Sequence, residues 1–168
     1  RFVAEARELL APDQGNQWSL ELLLAATPNP ANGKAAFQKA ACNACHVIQG
    51  EGIDFGPELS AIGNKLSRAE LLSAIMQPNQ TISLGFEGLS VELEDGTQYA
   101  GYKSGESETT LSLRIMGGLL KELDVTTIRS RHRMKDSLMP PGLDLSISSD
   151  ELVDLVGWLS EQTAIEPN

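Results

Sequence analysis

Cys42 and Cys45 are the only two cysteines in this 168-residue chain, and His46 follows the second directly. Thiolate sulfur and imidazole nitrogen are nucleophiles and metal ligands, so the run Cys42-Asn43-Ala44-Cys45-His46 suits three chemistries. A redox dithiol would follow a strand in a βαβ setting, whereas this run follows the helix-forming "GKAAFQKAA" and no βαβ pattern is present. A zinc site needs about four N, S or O ligands, usually as two close pairs. There is no second cysteine pair, and His132 is the one other histidine. Attachment of a c-type haem uses all three residues at once. The thiols of Cys42 and Cys45 add across two vinyl groups, which a two-residue spacer can reach, and the imidazole of His46 falls under the iron.

An iron centre held this way needs a second axial ligand and support for the first. "SLMPPGL" (137–143) sets Met139 before the stiff pair Pro140-Pro141. Thioether sulfur is a soft iron ligand that raises the reduction potential. "FGPEL" (55–59) follows the cysteine motif closely enough for a loop carbonyl to meet the Nδ1–H of His46, a bond that fixes the ring. The rivals to Met139 are Met76, Met116, Met134 and His132. Helical spacing places Met76 with Leu72 and Ile75 on an apolar face, and Met116 ends a strand as a packing residue. His132 and Met134 stand in the basic run "RSRHRMK", which reads as a solvated face balancing local acidity.

The elements that must position these residues form three zones. Residues 1–41 read as helical, over Phe2–Leu10, Leu20–Ala26 and Gly33–Ala41, with the turn run "PNPANG" before the last. A loop, "GEGIDFGPEL", follows the cysteine motif. A helix over 67–77 is signalled by the capping box Ser67-Arg68-Ala69-Glu70 and stopped by Pro78. From Gly88 to about Ser130 the period becomes two: Leu89, Val91 and Leu93 alternate with Ser90, Glu92 and Glu94. Asp95-Gly96 predicts a hairpin into 98–102, and "TLSLRIM", Gly117-Gly118 and "VTTIRS" continue the strand pattern. A second capping box, Ser148 to Glu151, opens a closing helix with an apolar stripe of Leu152, Leu155, Val156 and Leu159.

Hydrophobic residues make up 41% and charged residues 21% of the chain, as in globular proteins. The formal net charge of −10 argues against nucleic acid as a partner and fits a partner with a basic docking patch or simple solubility. The longest apolar run, Leu22–Ala26, is too short for a membrane span. No apolar signal core opens the chain, so any export signal is expected to have been removed or to lie outside it.

With these motifs in order, the chain resembles a class I cytochrome c. It is most similar to the Planctomycete/Verrucomicrobium-type haem-binding domains that are often fused to large dehydrogenases. The residues that carry the likeness are "GKAAFQKAACNACH", "GIDFGPELSAIG", "LSRAELLSAIMQPNQTISLGFEG", "DGTQYAG", "SLMPPGL" and "SSDELVDLVGWL", spanning about 33–162. The resemblance implies a mainly α fold around one covalent haem c, with a small antiparallel β insertion (about 88–130) before the distal-ligand loop. Residues 33–168 would be the cytochrome domain, and 1–32 an N-terminal helical extension or linker. It also implies that Cys42 and Cys45 carry the haem, that His46 and Met139 ligate the iron, and that Pro57 gives its carbonyl to His46. Gly33 and Phe37 would meet Leu155 and Trp158 where the first domain helix crosses the last. His46 and Met139 lie 93 positions apart, wider than in small class I cytochromes, and the β-patterned segment supplies the excess.

The function expected is that of a non-enzymatic one-electron carrier. It would run between a donor dehydrogenase domain and an acceptor cytochrome or oxidase, in the periplasm or otherwise exported. The alternatives are a haem-based ligand sensor or haem enzyme with a displaceable distal ligand, and a haem-free interaction module with a disulfide.

Overall fold

The computed structural model describes residues 18–163, so the helix expected over Phe2–Leu10 lies outside the described residues. The described residues fall into two compact units. One gathers the chain up to Cys42 with Leu59–Gln77 and the chain from Pro141; the other is Asn43–Glu58 with Pro78–Pro140.

The first unit is helical: α1 (Leu20–Ala25), α2 (Gly33–Lys39), α3 (Arg68–Met76) and α4 (Ser149–Ser160). Both capping boxes form, Ser67 with Glu70 and Ser148 with Glu151, and satisfy amide groups that a helix start leaves without intrahelical partners. The period of α4 puts Leu152, Leu155, Val156 and Leu159 inside, and Leu71, Leu72 and Met76 of α3 are buried too. Each such side chain contributes about 1.5–3 kcal/mol through removal from water.

Helices α2 and α4 cross at Gly33. A Cβ built there would fall 2.1 Å from Trp158 Cβ and 2.6 Å from the Asp154 carbonyl oxygen, so only hydrogen fits. The Phe37 and Trp158 rings pack at a centroid distance of 5.4 Å. Asp154 accepts from the Asn29 amide at 2.6 Å and from Asn32 Nδ2 at 3.0 Å. Lys39 donates to both carboxylate oxygens of Glu151, at 2.7 and 2.8 Å. The close approach of the two helices is therefore packed by Gly33, Phe37 and Trp158 and flanked by polar latches.

The second unit is a sheet with a loop against it. A two-stranded ribbon, β1 (Val47–Ile48) and β2 (Glu51–Gly52), precedes a five-stranded antiparallel sheet ordered β6-β5-β4-β3-β7. Its strands are β3 (Gly88–Leu93), β4 (Gln98–Glu106), β5 (Thr110–Ile115), β6 (Leu119–Asp124) and β7 (Ile128–Arg133). Asp95-Gly96 turns β3 into β4, with Thr97 N donating to Asp95 Oδ1 at 2.8 Å. Gly117 and Gly118, both at positive φ, turn β5 into β6. One face buries Val91, Leu111, Leu113 and Leu123 as its own small core.

Several expectations are corrected. The described residues are 34% helix and 25% strand, so the fold is not mainly α. The loop after the cysteine motif contains the ribbon β1–β2. Leu119–Asp124 pairs along its length with β5, although its paired leucines and central charges break the alternation that marks a strand. Val125–Thr127 is a 3₁₀ turn, and β7 runs instead into the basic cluster. There Arg129 pairs with Glu92 and Glu94, Arg131 with Glu106, and Arg133 with Glu87. Lys103 and Arg131 together hold the Glu106 carboxyl down to about 2. Met116 is 72% exposed rather than packed. No helix among the described residues is long and apolar enough to cross a membrane.

Because the atoms facing Gly33 belong to backbone and to a Cβ, neither can swing aside. Gly33→Ala is expected to destabilise the protein by about 2 kcal/mol through overpacking, read as a lower urea midpoint; an unchanged midpoint would contradict the crossing.

Candidate functional site

Helix α2 ends at Lys39, and Ala41 turns the chain with φ +57°, a left-handed conformation that costs a non-glycine residue about 1 kcal/mol. Cys42–Ala44 then forms a 3₁₀ turn. Gln49 and Gly50 both have positive φ in the tight turn between β1 and β2, the geometry that suits the twist of a two-residue hairpin. The ribbon and the following loop fold back over the motif: Ile53 N donates to Asn43 O at 3.0 Å, and Phe55 N to Cys45 O at 3.1 Å. The loop is thereby tied to the cysteine motif through backbone hydrogen bonds.

His46 Nδ1 lies 2.7 Å from Pro57 O. A carbonyl only accepts, so Nδ1 carries the proton and donates, and Nε2 remains as the basic nitrogen. Burial lowers the pKa of His46 from its ordinary value, and the Pro57 carbonyl acts against that shift. Gly56 lies flat against the ring: a Cβ there would sit 2.6 Å from Cε1 and 2.8 Å from Nδ1. Sequence reasoning missed Gly56, whose signal is a glycine just before the proline that presents the carbonyl.

The loop that carries Pro57 rests on the sheet. Phe55, 4% exposed, packs against Tyr102 of β4 with centroids 5.9 Å apart, and Phe86 packs on Tyr102 at 4.8 Å. Tilted aromatic pairs of this kind add about 1 kcal/mol each beyond burial. Arg114 of β5 reaches Asp54 Oδ2 at 3.2 Å and donates to Gly118 O at 3.0 Å. The Asp54 side chain is 64% exposed, so that ion pair adds direction more than stability. Burial, then the neighbouring Asp54 carboxylate, raises the Tyr102 pKa, while Arg114 pulls it down.

Met139 is half-buried, on the loop that follows β7. Its amide donates to Ser137 Oγ at 3.1 Å, and the Ser137 amide donates to Asn79 Oδ1 at 2.8 Å. Ser137 and Asn79 were not legible as site residues, since their partnership spans 58 positions. The other methionines lie elsewhere. Met76 is in the helical core at 7% exposure, Met116 is in an open turn, and Met134 packs on Gly88. His132 is exposed on β7.

Cys42 and Cys45 are half-buried and form no disulfide, and burial raises the Cys45 pKa. Two thiols with an adjacent imidazole, its Nδ1 already committed to Pro57, are a donor set that fits covalent attachment of haem. The family model "Cytochrome c" matches residues 30–163, well over half of the chain. No curated protein matches it.

Gly56→Ala should push the imidazole off its seat and break the bond to Pro57. The depressed pKa of His46 means that the native state favours the neutral ring, a preference lost as pH falls through the folded value. Loss of the Pro57 bond alone would lower the His46 pKa further, but a ring displaced into solvent also escapes the burial that is the larger cause of the depression. In the haem-free protein the variant's His46 titration is therefore expected to move upward, toward the ordinary value of about 6.5, in an NMR pH series. A midpoint identical to that of the unaltered chain would show that Gly56 does not seat the ring.

Proposed function

The chain belongs to the cytochrome c family, and on that premise we propose that it is a mono-haem carrier moving single electrons from a dehydrogenase to a downstream acceptor. Haem c is its covalently attached cofactor, and Cys42 and Cys45 are the two thiols the chain has for that bond. Haem c supplies an iron whose Fe(III)/Fe(II) couple accepts and returns one electron. The rest of the work belongs to the protein: holding the ligands still, tuning the potential and meeting redox partner proteins.

The observation that carries the reading is the 2.7 Å bond from His46 Nδ1 to Pro57 O. It sets the tautomer, fixes the ring and leaves Nε2 as the nitrogen that would ligate the iron. Met139 is our choice for the distal ligand, on a loop held by Ser137 and Asn79 and stiffened by Pro140 and Pro141. A sixth ligand on so constrained a loop favours a carrier over a ligand sensor or haem enzyme, which needs an open position.

The finer assignment, to the Planctomycete/Verrucomicrobium-type domains, rests on the ordered motifs from "GKAAFQKAACNACH" to "SSDELVDLVGWL". A dehydrogenase as electron donor, and a cytochrome or oxidase as acceptor, follow from that likeness. The net charge of −10 favours acceptors with a basic docking face.

Two measurements test this reading. Met139→Ala is expected to keep the haem, lose the weak red absorption of iron–methionine bonding, lower the potential and admit exogenous ligands. An unchanged spectrum, with the loss appearing in Met134→Ala or His132→Ala, would move the ligand. We also propose that the protein is periplasmic or otherwise exported, because haem is joined to such motifs outside the cytoplasm by dedicated machinery. Expression without that machinery should yield colourless protein, and efficient covalent haem formation there would refute the location.

A further inference from the structure

The sheet does more than enlarge the molecule: we infer that Tyr102 and Arg114 are positioning residues for the proximal histidine, acting through the loop that ends at Pro57. The inference rests on the reading of His46 as an iron ligand. The chain of contacts is continuous and lies within one compact unit. Pro57 O holds His46 Nδ1 at 2.7 Å. Two residues earlier Phe55 is buried against the Tyr102 ring, which is itself backed by Phe86. One residue before Phe55, Asp54 meets Arg114 Nη2 at 3.2 Å, and Arg114 Nη1 donates to Gly118 O in the β5–β6 turn. That turn also touches the loop, since a Cβ on Gly118 would come within 3.0 Å of both Asp54 O and Ile53 Cγ2.

Backbone bonds to Asn43 and Cys45 fix the start of this loop. On its far side, Phe55 and Asp54 meet Tyr102 of β4 and Arg114 of β5. A loop carbonyl is a useful partner only if it stays in line with the ring N–H. A taut bond from Nδ1–H makes the imidazole a stronger donor, which stabilises Fe(III) and lowers the potential. Slack in the loop weakens that donation and raises the potential. On this account the β segment tunes the haem from behind the proximal ligand, a role distinct from shielding the haem edge or docking a partner.

The test uses the haem-loaded protein and three single variants. Tyr102→Leu removes the aromatic stack but keeps an apolar side chain, and Arg114→Gln removes the ion pair. Val91→Ala weakens the sheet from its opposite, buried face without touching the loop and controls for general loss of stability. The midpoint potential should shift upward in Tyr102→Leu and Arg114→Gln and stay in place in Val91→Ala. In the reduced protein the His46 Nδ1 proton should exchange about fivefold faster in the two loop variants, as expected for losing one modest anchor. Arg114→Lys, which restores a cation opposite Asp54, should recover part of both effects. Potentials that move equally in Val91→Ala, or in none of the three while unfolding midpoints fall, would overturn the inference. If the unaltered protein itself lacks a histidine-ligated spectrum, the functional reading is what fails, and the inference falls with it.

Discussion

An imidazole has two nitrogens and can serve a metal well through only one of them, so something must hold the other. In this chain that task falls to a proline carbonyl eleven residues on, at 2.7 Å from His46 Nδ1. The ring of proline fixes φ and so limits how far the backbone that carries this carbonyl can swing. Much of the second unit can be understood as what keeps that oxygen in place. The β1–β2 ribbon returns the chain toward the motif, Gly56 leaves room for the ring to lie against backbone, and Phe55 and Asp54 anchor the loop to β4 and β5. The bond is short-range in sequence, but the loop that carries it is anchored on strands that begin at Gln98 and Thr110.

The helical unit solves a different problem. Its helices are short, and none would be stable alone in water. They persist because α2 and α4 approach until Gly33 meets Trp158, and because the apolar stripe of α4 closes over Leu71, Leu72 and Met76 from α3. Asp154 and Glu151 of α4 each reach back to the segment that leads into the cysteine motif. The entry to Cys42 is therefore tied to α4.

Charge is handled locally despite the strong overall excess of acid. The arginines of β7 are each matched to a glutamate of β3, β4 or the residues flanking them. The basic run thus neutralises its own neighbourhood and leaves the acidic surplus distributed over the rest of the surface. These exposed pairs contribute little to stability; they matter more for keeping the edge strand β7 in register and unattractive to other strands.

Signals carried by near neighbours were legible from residues alone. The spacing of Cys42, Cys45 and His46 restricts the chemistry because it fixes three reactive groups within one turn. Both capping boxes depend on partners three residues apart, the stripe of α4 on a helical period, and the Asp95-Gly96 turn on one dipeptide. The tertiary structure decided what depends on residues far apart in the chain. It set the strand order β6-β5-β4-β3-β7 and admitted Leu119–Asp124 as a strand through pairing with β5, against its own irregular pattern. It exposed Met116, joined Asn79 to the Met139 loop, and brought Tyr102 and Arg114 against Phe55 and Asp54. Such contacts have no local signature, because a phenylalanine or an aspartate looks the same in sequence whichever strand it will meet. Only closure of the chain determines which surface lies opposite it.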